Sequence, residues 1–130
     1  MSAMQRRKGQ TGERELFALL SSELGFVVQR TLSQARQGGA DGMDIPGWAV
    51  EVKRQETLSI PVWWAQTERQ AVGRKPILFY RVSRKPWRAV LDLCDVMPDT
   101  FTLRGNLCEM SLQAACVIIR ESLGGRESGE

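Results

Sequence analysis

The short pattern Glu51-Val52-Lys53 is the part of this sequence whose residue types could do chemistry, together with Asp44 before it and Glu13 further upstream. Mg²⁺ prefers hard oxygen ligands and keeps several waters, so one or two carboxylates and a phosphate oxygen are enough to hold it. Such a cation lowers the pKa of a bound water and polarises a phosphoryl oxygen. A neighbouring lysine can position the water or offset charge that builds on the phosphate. These residues therefore predict metal-assisted phosphodiester hydrolysis.

Hydrolytic chemistries that depend on histidine are excluded by composition. The 130 residues include no histidine, which removes histidine bases, Ser-His-Asp triads and histidine-bound zinc. Three cysteines, at 94, 108 and 116, are an odd number in no CxxC spacing and indicate neither a disulfide framework nor a zinc site. An ion pair on a solvated strand remains the alternative explanation of Glu51 and Lys53.

Two strands joined by a tight turn are predicted to position the carboxylates. The elements are a strand at 43–45, a turn at Pro46-Gly47 and a strand at 48–53. Side chains alternate along a strand, so Glu51 and Lys53 share one face, and Val50 and Val52 take the other. Pairing of the two strands would set Asp44 beside Glu51.

The remaining periodicity predicts an α/β fold with a central mixed β-sheet flanked by helices. Helices are predicted at about 10–24, 61–72 and 111–123, and further strands at 26–30, 77–82, 87–92 and near 101–103. We expect one domain over residues 1–123 and a flexible tail at 124–130. No apolar run reaches the 18 or so residues of a membrane span, and no signal peptide is visible, so we expect a cytoplasmic protein.

Charge is unevenly distributed along the chain. Residues 1–90 carry 15 Lys and Arg against 8 Asp and Glu, whereas residues 91–130 carry 3 against 7. A basic body with an acidic C-terminal part suits a protein that meets a polyanion on one face.

Four segments in order resemble the archaeal Holliday junction resolvases and their phage-encoded relatives, which are PD-(D/E)xK nucleases. The segments are Arg7–Leu16, Gly25–Arg30, Asp44-Ile45 and Val50–Lys53. This resemblance implies a restriction-endonuclease-like fold with an αβββαβ core. It also implies a homodimeric, Mg²⁺-dependent endonuclease of recombination and repair that nicks four-way DNA junctions symmetrically, in a bacterial or archaeal cell or encoded by a phage. We expect Mn²⁺ to substitute for Mg²⁺.

The resemblance also assigns roles to residues. Glu13 corresponds to the helix glutamate, Asp44 to the motif aspartate, and Glu51 and Lys53 to the ExK pair. Expected metal ligands are Asp44, Glu51, Val52 and Glu13, with Asp41 competing for the role of Asp44 and Gln66 facing either the metal site or solvent. Arg14 and Arg30 fall where that family has arginines at or near the DNA and the active site. Other basic residues are expected to contact phosphates if DNA binds, so that the full set of expected DNA-binding residues is Arg6, Arg7, Lys8, Arg14, Arg30, Arg36 and Arg54.

Two alternatives remain open at this point. The same fold and metal could act on flaps, nicked or linear duplex, or a restriction-like site. The other alternative is a catalytically silent DNA-binding module, which would keep the basic face but lose a metal ligand or Lys53.

For the homodimer, interface candidates are Leu112, Cys116, Ile119, Leu123 and one of Trp63 and Trp64. The competing possibility is that the last helix only closes the sheet of its own subunit.

Overall fold

The computed structural model describes residues 3–28 and 45–128, with side chains at 12–28 and 45–124. The elements in chain order are α1 (Ala3–Leu24), β1 (Trp48–Gln55), α2 (Ile60–Ala71), β2 (Lys75–Val82), β3 (Arg88–Asp92), α3 (Leu93–Val96), β4 (Leu107–Ser111) and α4 (Leu112–Ser128).

The four described strands form one sheet in the order β1-β2-β3-β4. β1 and β2 are parallel, which requires the crossover that α2 supplies, whereas β2, β3 and β4 follow one another as antiparallel neighbours. The sheet is therefore mixed and has helices on both sides. The predicted α/β, restriction-endonuclease-like fold is confirmed.

Each side of the sheet has its own apolar core. On one side, α1 and α4 pack against the strands; we call this the α1 face. Its buried residues include Leu16, Leu20, Trp48, Val50, Ile77, Phe79, Leu91, Leu112, Cys116 and Ile119. On the other side, the α2 face, Trp63 and Trp64 pack against Leu78, Tyr80 and Val90. Residues 48–51 of β1 and 76–80 of β2 are buried in continuous runs, as two covered faces require.

These cores correct the expected interface. Leu112, Cys116 and Ile119 are buried within their own chain, and Leu123 packs partly against the same core. Both tryptophans are buried as well. The last helix thus closes its own sheet, and these residues are not a free surface for a second subunit.

The segment between β3 and β4 is held by the carboxylate of Asp92, which is fully buried. Its Oδ1 accepts a hydrogen bond of 3.0 Å from the Cys94 N–H at the start of α3, and its Oδ2 accepts one of 2.7 Å from the Gly105 N–H. Arg104 lies 3.9 Å from the same carboxylate and pairs with Asp95 at 3.1 Å. One buried side chain therefore fixes both ends of this loop.

The prediction of a strand near 101–103 is wrong, because those residues belong to this loop. The N–H groups of Thr100 and Phe101 both donate to the carbonyl of Met97, which closes a turn there. The last strand is β4, at 107–111, instead.

The strand predicted at 26–30 is not formed over its described part, 26–28. Gly25 ends α1 with a φ of 83°, and the Val28 N–H donates to the Ser21 hydroxyl, so the chain bonds back to the helix that precedes it. Ile45 likewise lies outside any strand. At the other end of the chain, α4 continues through Gly124 and Gly125 to Ser128, because glycine permits a helix stop without requiring one.

The end of α2 has an uncommon backbone conformation. Its C-cap is Val72, with a φ of 39°, and Gly73 follows with a φ of 79°. Glycine adopts this left-handed region freely, whereas a β-branched residue does so at a cost.

Among the described helices, none has the length and apolarity needed to cross a membrane.

Candidate active site

Glu51 and Lys53 lie together on the α2 face of β1. The Glu51 side chain is 3% exposed, that of Lys53 is 21% exposed, and the Lys53 Nζ is 3.8 Å from the Glu51 Oε1. Val50 is buried in the core of the opposite face, and Val52 packs partly against it, as the alternation predicts. A carboxylate is costly to bury without a compensating charge or hydrogen bonds. The site therefore holds a desolvated acid beside a more accessible base.

The surroundings of this pair are apolar on the β2 side. Glu51 is in register with Leu78, and Lys53 with Tyr80. The Tyr80 hydroxyl donates to Glu109 at 2.7 Å, and burial together with that carboxylate raises the pKa of Tyr80 to about 12. Tyr80 is thus a neutral core residue and not a nucleophile.

Three predicted site residues lie on helices of the described part of the chain. Glu13 is half-buried on α1, Gln66 is half-buried on α2, and Arg14 is exposed. The side chains of Arg6, Arg7 and Lys8 lie outside the described residues, and so do Arg30, Arg36, Asp41 and Asp44 as a whole. The predicted meeting of Asp44 with Glu51 therefore stays a prediction.

A second charged group, which sequence reasoning missed, lies on the α1 face near the end of β1. We call it the Glu15 cluster: Glu15, Arg54, Arg81 and Trp87. The Glu15 Oε2 accepts hydrogen bonds from Arg81 and, at 3.0 Å, from the Trp87 indole N–H, and its Oε1 is 3.7 Å from the Arg54 Nε. Two residues apart on a helix, Glu13 and Glu15 point about 200° apart. The sequence Glu13-Arg14-Glu15 places two acids on α1 but does not indicate which arginines each would meet.

No group of three or more acidic or cysteine side chains that could hold a metal occurs within the described part of the chain. On β1, Glu51 supplies a carboxylate, and the main chain of Val52 supplies a carbonyl. Both are hard oxygen donors of the kind that Mg²⁺ and Mn²⁺ take.

A family model described as "Phage putative PDDEXK endonuclease" matches residues 4–113. The chain belongs to this family. The match spans Glu13 and Glu15 on α1 and the whole of β1, and membership of this endonuclease family supports nuclease activity. Neither the curated proteins nor the solved structures gave a significant match.

Proposed function

We propose that this endonuclease hydrolyses DNA phosphodiester bonds with Mg²⁺ and, as a homodimer, resolves four-way junctions by paired symmetric nicks. The observation that carries the catalytic part is the buried Glu51 carboxylate with the Lys53 ammonium 3.8 Å away, on an outer strand of the described sheet. Both members of the ExK pair are present, which argues against a catalytically silent module.

The proposed ligands of Mg²⁺ are Glu51, the main-chain carbonyl of Val52, Asp44 and Glu13, with Asp41 as the alternative to Asp44. Carboxylate and carbonyl oxygens fit this ion, and Mn²⁺ prefers the same donors. When bound, the ion would lower the pKa of a water and polarise the phosphate. Lys53, more exposed than Glu51, would orient that water or offset charge on the phosphate oxygens.

The proposed phosphate contacts are Arg6, Arg7, Lys8, Arg14, Arg30, Arg36 and Arg54. The surplus of basic residues in the first 90 positions supports this set, since backbone phosphates supply most of the affinity in non-specific DNA binding. Four-way junctions are favoured as substrate by the resemblance in the first half of the chain. Flaps, nicked duplex and linear duplex are the competing substrates.

The test is cleavage of end-labelled four-way junction, flap, nicked and linear duplex DNA, each with Mg²⁺, Mn²⁺ or EDTA. We expect symmetric paired cuts in the junction with either ion and none with EDTA. Faster cleavage of a flap or of linear duplex would overturn the junction assignment and keep the nuclease. The absence of any cut with either ion would overturn the catalytic proposal.

Glu51→Gln should lower the cleavage rate by about a thousandfold, because a ligand that binds the metal contributes several kcal/mol to the transition state. DNA binding should stay the same or become slightly tighter, since a negative charge near phosphate is removed. Glu121→Gln is the matched control, because Glu121 is exposed on α4, which packs on the opposite face of the sheet. Wild-type cleavage by Glu51→Gln would show that the assigned ligand is wrong.

A further inference from the structure

Arg54 directly follows Lys53 on β1 and therefore lies on the opposite face of the same strand end. Its Nε is buried and has no hydrogen-bond partner within the described residues. Its charge interaction there is the 3.7 Å approach to Glu15, which is longer than a hydrogen bond. About a quarter of the side chain is exposed. Arg54 thus has a guanidinium N–H donor, on Nε, that no described residue accepts, and a side chain that is partly open to solvent.

The stem of Arg54 is held in place by Gly12 of α1. A Cβ on Gly12 would come within 2.9 Å of the Arg54 Cβ and 3.1 Å of its Cδ. Real Cβ atoms do not approach other atoms so closely, so glycine lets the helix backbone lie against this side chain. Contact along the stem restricts the rotamers of a long, flexible residue and thereby lowers the entropy lost on binding.

Arg81 already balances the charge of Glu15. One terminal nitrogen of Arg81 donates to the Glu15 Oε2, and its Nε donates to the Lys85 carbonyl at 2.8 Å. Two of its guanidinium nitrogens therefore already donate hydrogen bonds within the protein. The Glu15 cluster has two guanidinium groups and one carboxylate, which leaves one positive charge in excess. We assign that excess charge to Arg54, because Arg81 hydrogen-bonds to Glu15 whereas Arg54 only approaches it at 3.7 Å.

We propose that Gly12 and Glu15 are positioning residues that hold Arg54 to bind a DNA backbone phosphate on the α1 face. An arginine fork matches two phosphate oxygens. With Lys53 on the α2 face, DNA would be contacted from both sides of the end of β1. This inference rests on the proposed nuclease function and assigns Glu15 to DNA binding instead of metal binding.

Removing the charge of Glu15 should change DNA affinity in opposite directions for its two possible roles, repulsion of DNA and positioning of Arg54. If its charge acted only by repelling DNA, Glu15→Gln would bind DNA more tightly. If Glu15 positions Arg54, the same variant binds about tenfold more weakly. Glu23→Gln is the matched control, because it removes the same charge from the same helix, outside the Glu15 cluster, and should not weaken binding.

Binding should be measured with four-way junction and duplex DNA in EDTA at several salt concentrations, so that the readout does not depend on cleavage. Arg54→Met should bind both DNAs about tenfold more weakly and lower the salt slope by about one, the loss of one phosphate contact. In cleavage assays, both Arg54→Met and Glu15→Gln should raise KM and leave kcat nearly unchanged. A fall in kcat alone for Glu15→Gln would point to a metal ligand and overturn the proposal.

The double variant separates positioning from a structural role. Glu15→Gln combined with Arg54→Met should bind DNA no more weakly than Arg54→Met alone, because Glu15 acts through Arg54. The inference would be overturned if the two substitutions lowered DNA affinity additively, or if Arg54→Met bound DNA as tightly as the wild-type protein. Junction cleavage by the wild-type protein would in that case still support the nuclease function. Failure of the wild-type protein to bind any DNA would instead defeat the proposed function itself. Thermal unfolding of each variant identifies losses that come only from a damaged fold.

Discussion

At the scale of single residues, two buried carboxylates have contrasting partners. Glu51 is beside a lysine whose side chain reaches solvent, whereas Asp92 is enclosed by backbone N–H groups. A carboxylate whose oxygens are taken up by the backbone serves the fold. A carboxylate beside a partly exposed lysine on an outer strand can exchange partners, as binding a metal or phosphate requires.

The stability of the protein should depend on pH through Asp92. Burial acts to raise the pKa of this carboxyl, but hydrogen bonds from Gly105 and Cys94 outweigh it, and the pKa is lowered from its ordinary value of 3.8. A lowered pKa in the folded state means that the stabilisation is present above the unfolded value and is lost as pH falls through the folded one. We therefore expect thermal unfolding temperature to fall as pH decreases below about 4.

Asp92→Asn should lower the free energy of unfolding at pH 7 by about 1–3 kcal/mol, because the amide NH₂ cannot accept the second backbone hydrogen bond. The difference from the wild-type protein should shrink toward pH 3. Asp99→Asn, at an exposed aspartate in the same loop, is the control and should change little. A constant difference between pH 7 and pH 3 would show that Asp92 is not the titrating group.

At the scale of elements, local pattern predicted those parts that local chemistry determines. The apolar runs of β2 and β3 were predicted because two covered faces favour a continuous apolar sequence. The alternation around Glu51 was predicted because successive side chains of a strand point to opposite faces. The segment near 101–103 was mispredicted because a distant carboxylate, Asp92, ties it into a loop. Glu15 was missed for the same reason, since its partners come from three strands or strand ends far along the chain.

The end of α2 offers a stabilising substitution. Val72 is 81% exposed and has a φ of 39°, so it contributes little packing and carries the strain of a β-branched residue in the left-handed region. Val72→Asn should raise the free energy of unfolding by about 1 kcal/mol, because asparagine tolerates this conformation.

The control for that prediction is Val62→Asn, at a valine of the same helix that is 65% exposed and has no positive φ. Valine and asparagine have similar helix propensities, so little change is expected there. Thermal or denaturant unfolding of the two variants measures the difference. Equal effects at both positions would contradict the conformational explanation.

At the scale of the whole molecule, one ExK pair per chain implies that paired cuts in a junction need two subunits. We expect sedimentation or light scattering at micromolar concentration to give twice the 14.6 kDa chain mass. The interface must use surfaces other than the buried side of α4. A strict monomer that nicks one strand would remove the resolvase proposal and leave the endonuclease family unaffected.

The parallel pairing of β1 with β2 also has a consequence for how the chain acquires its activity. β2 and β3 join residues close in sequence, such as Tyr80 and Arg88, whereas β1 and β2 join Trp48 with Lys75 across a whole helix. Loop-closure entropy delays such distant contacts during folding. The strand that carries Glu51 and Lys53 is therefore expected to dock after the β2-β3-β4 meander has formed. A partly folded chain, newly made in a cell full of DNA, would then have no assembled site with which to cut it.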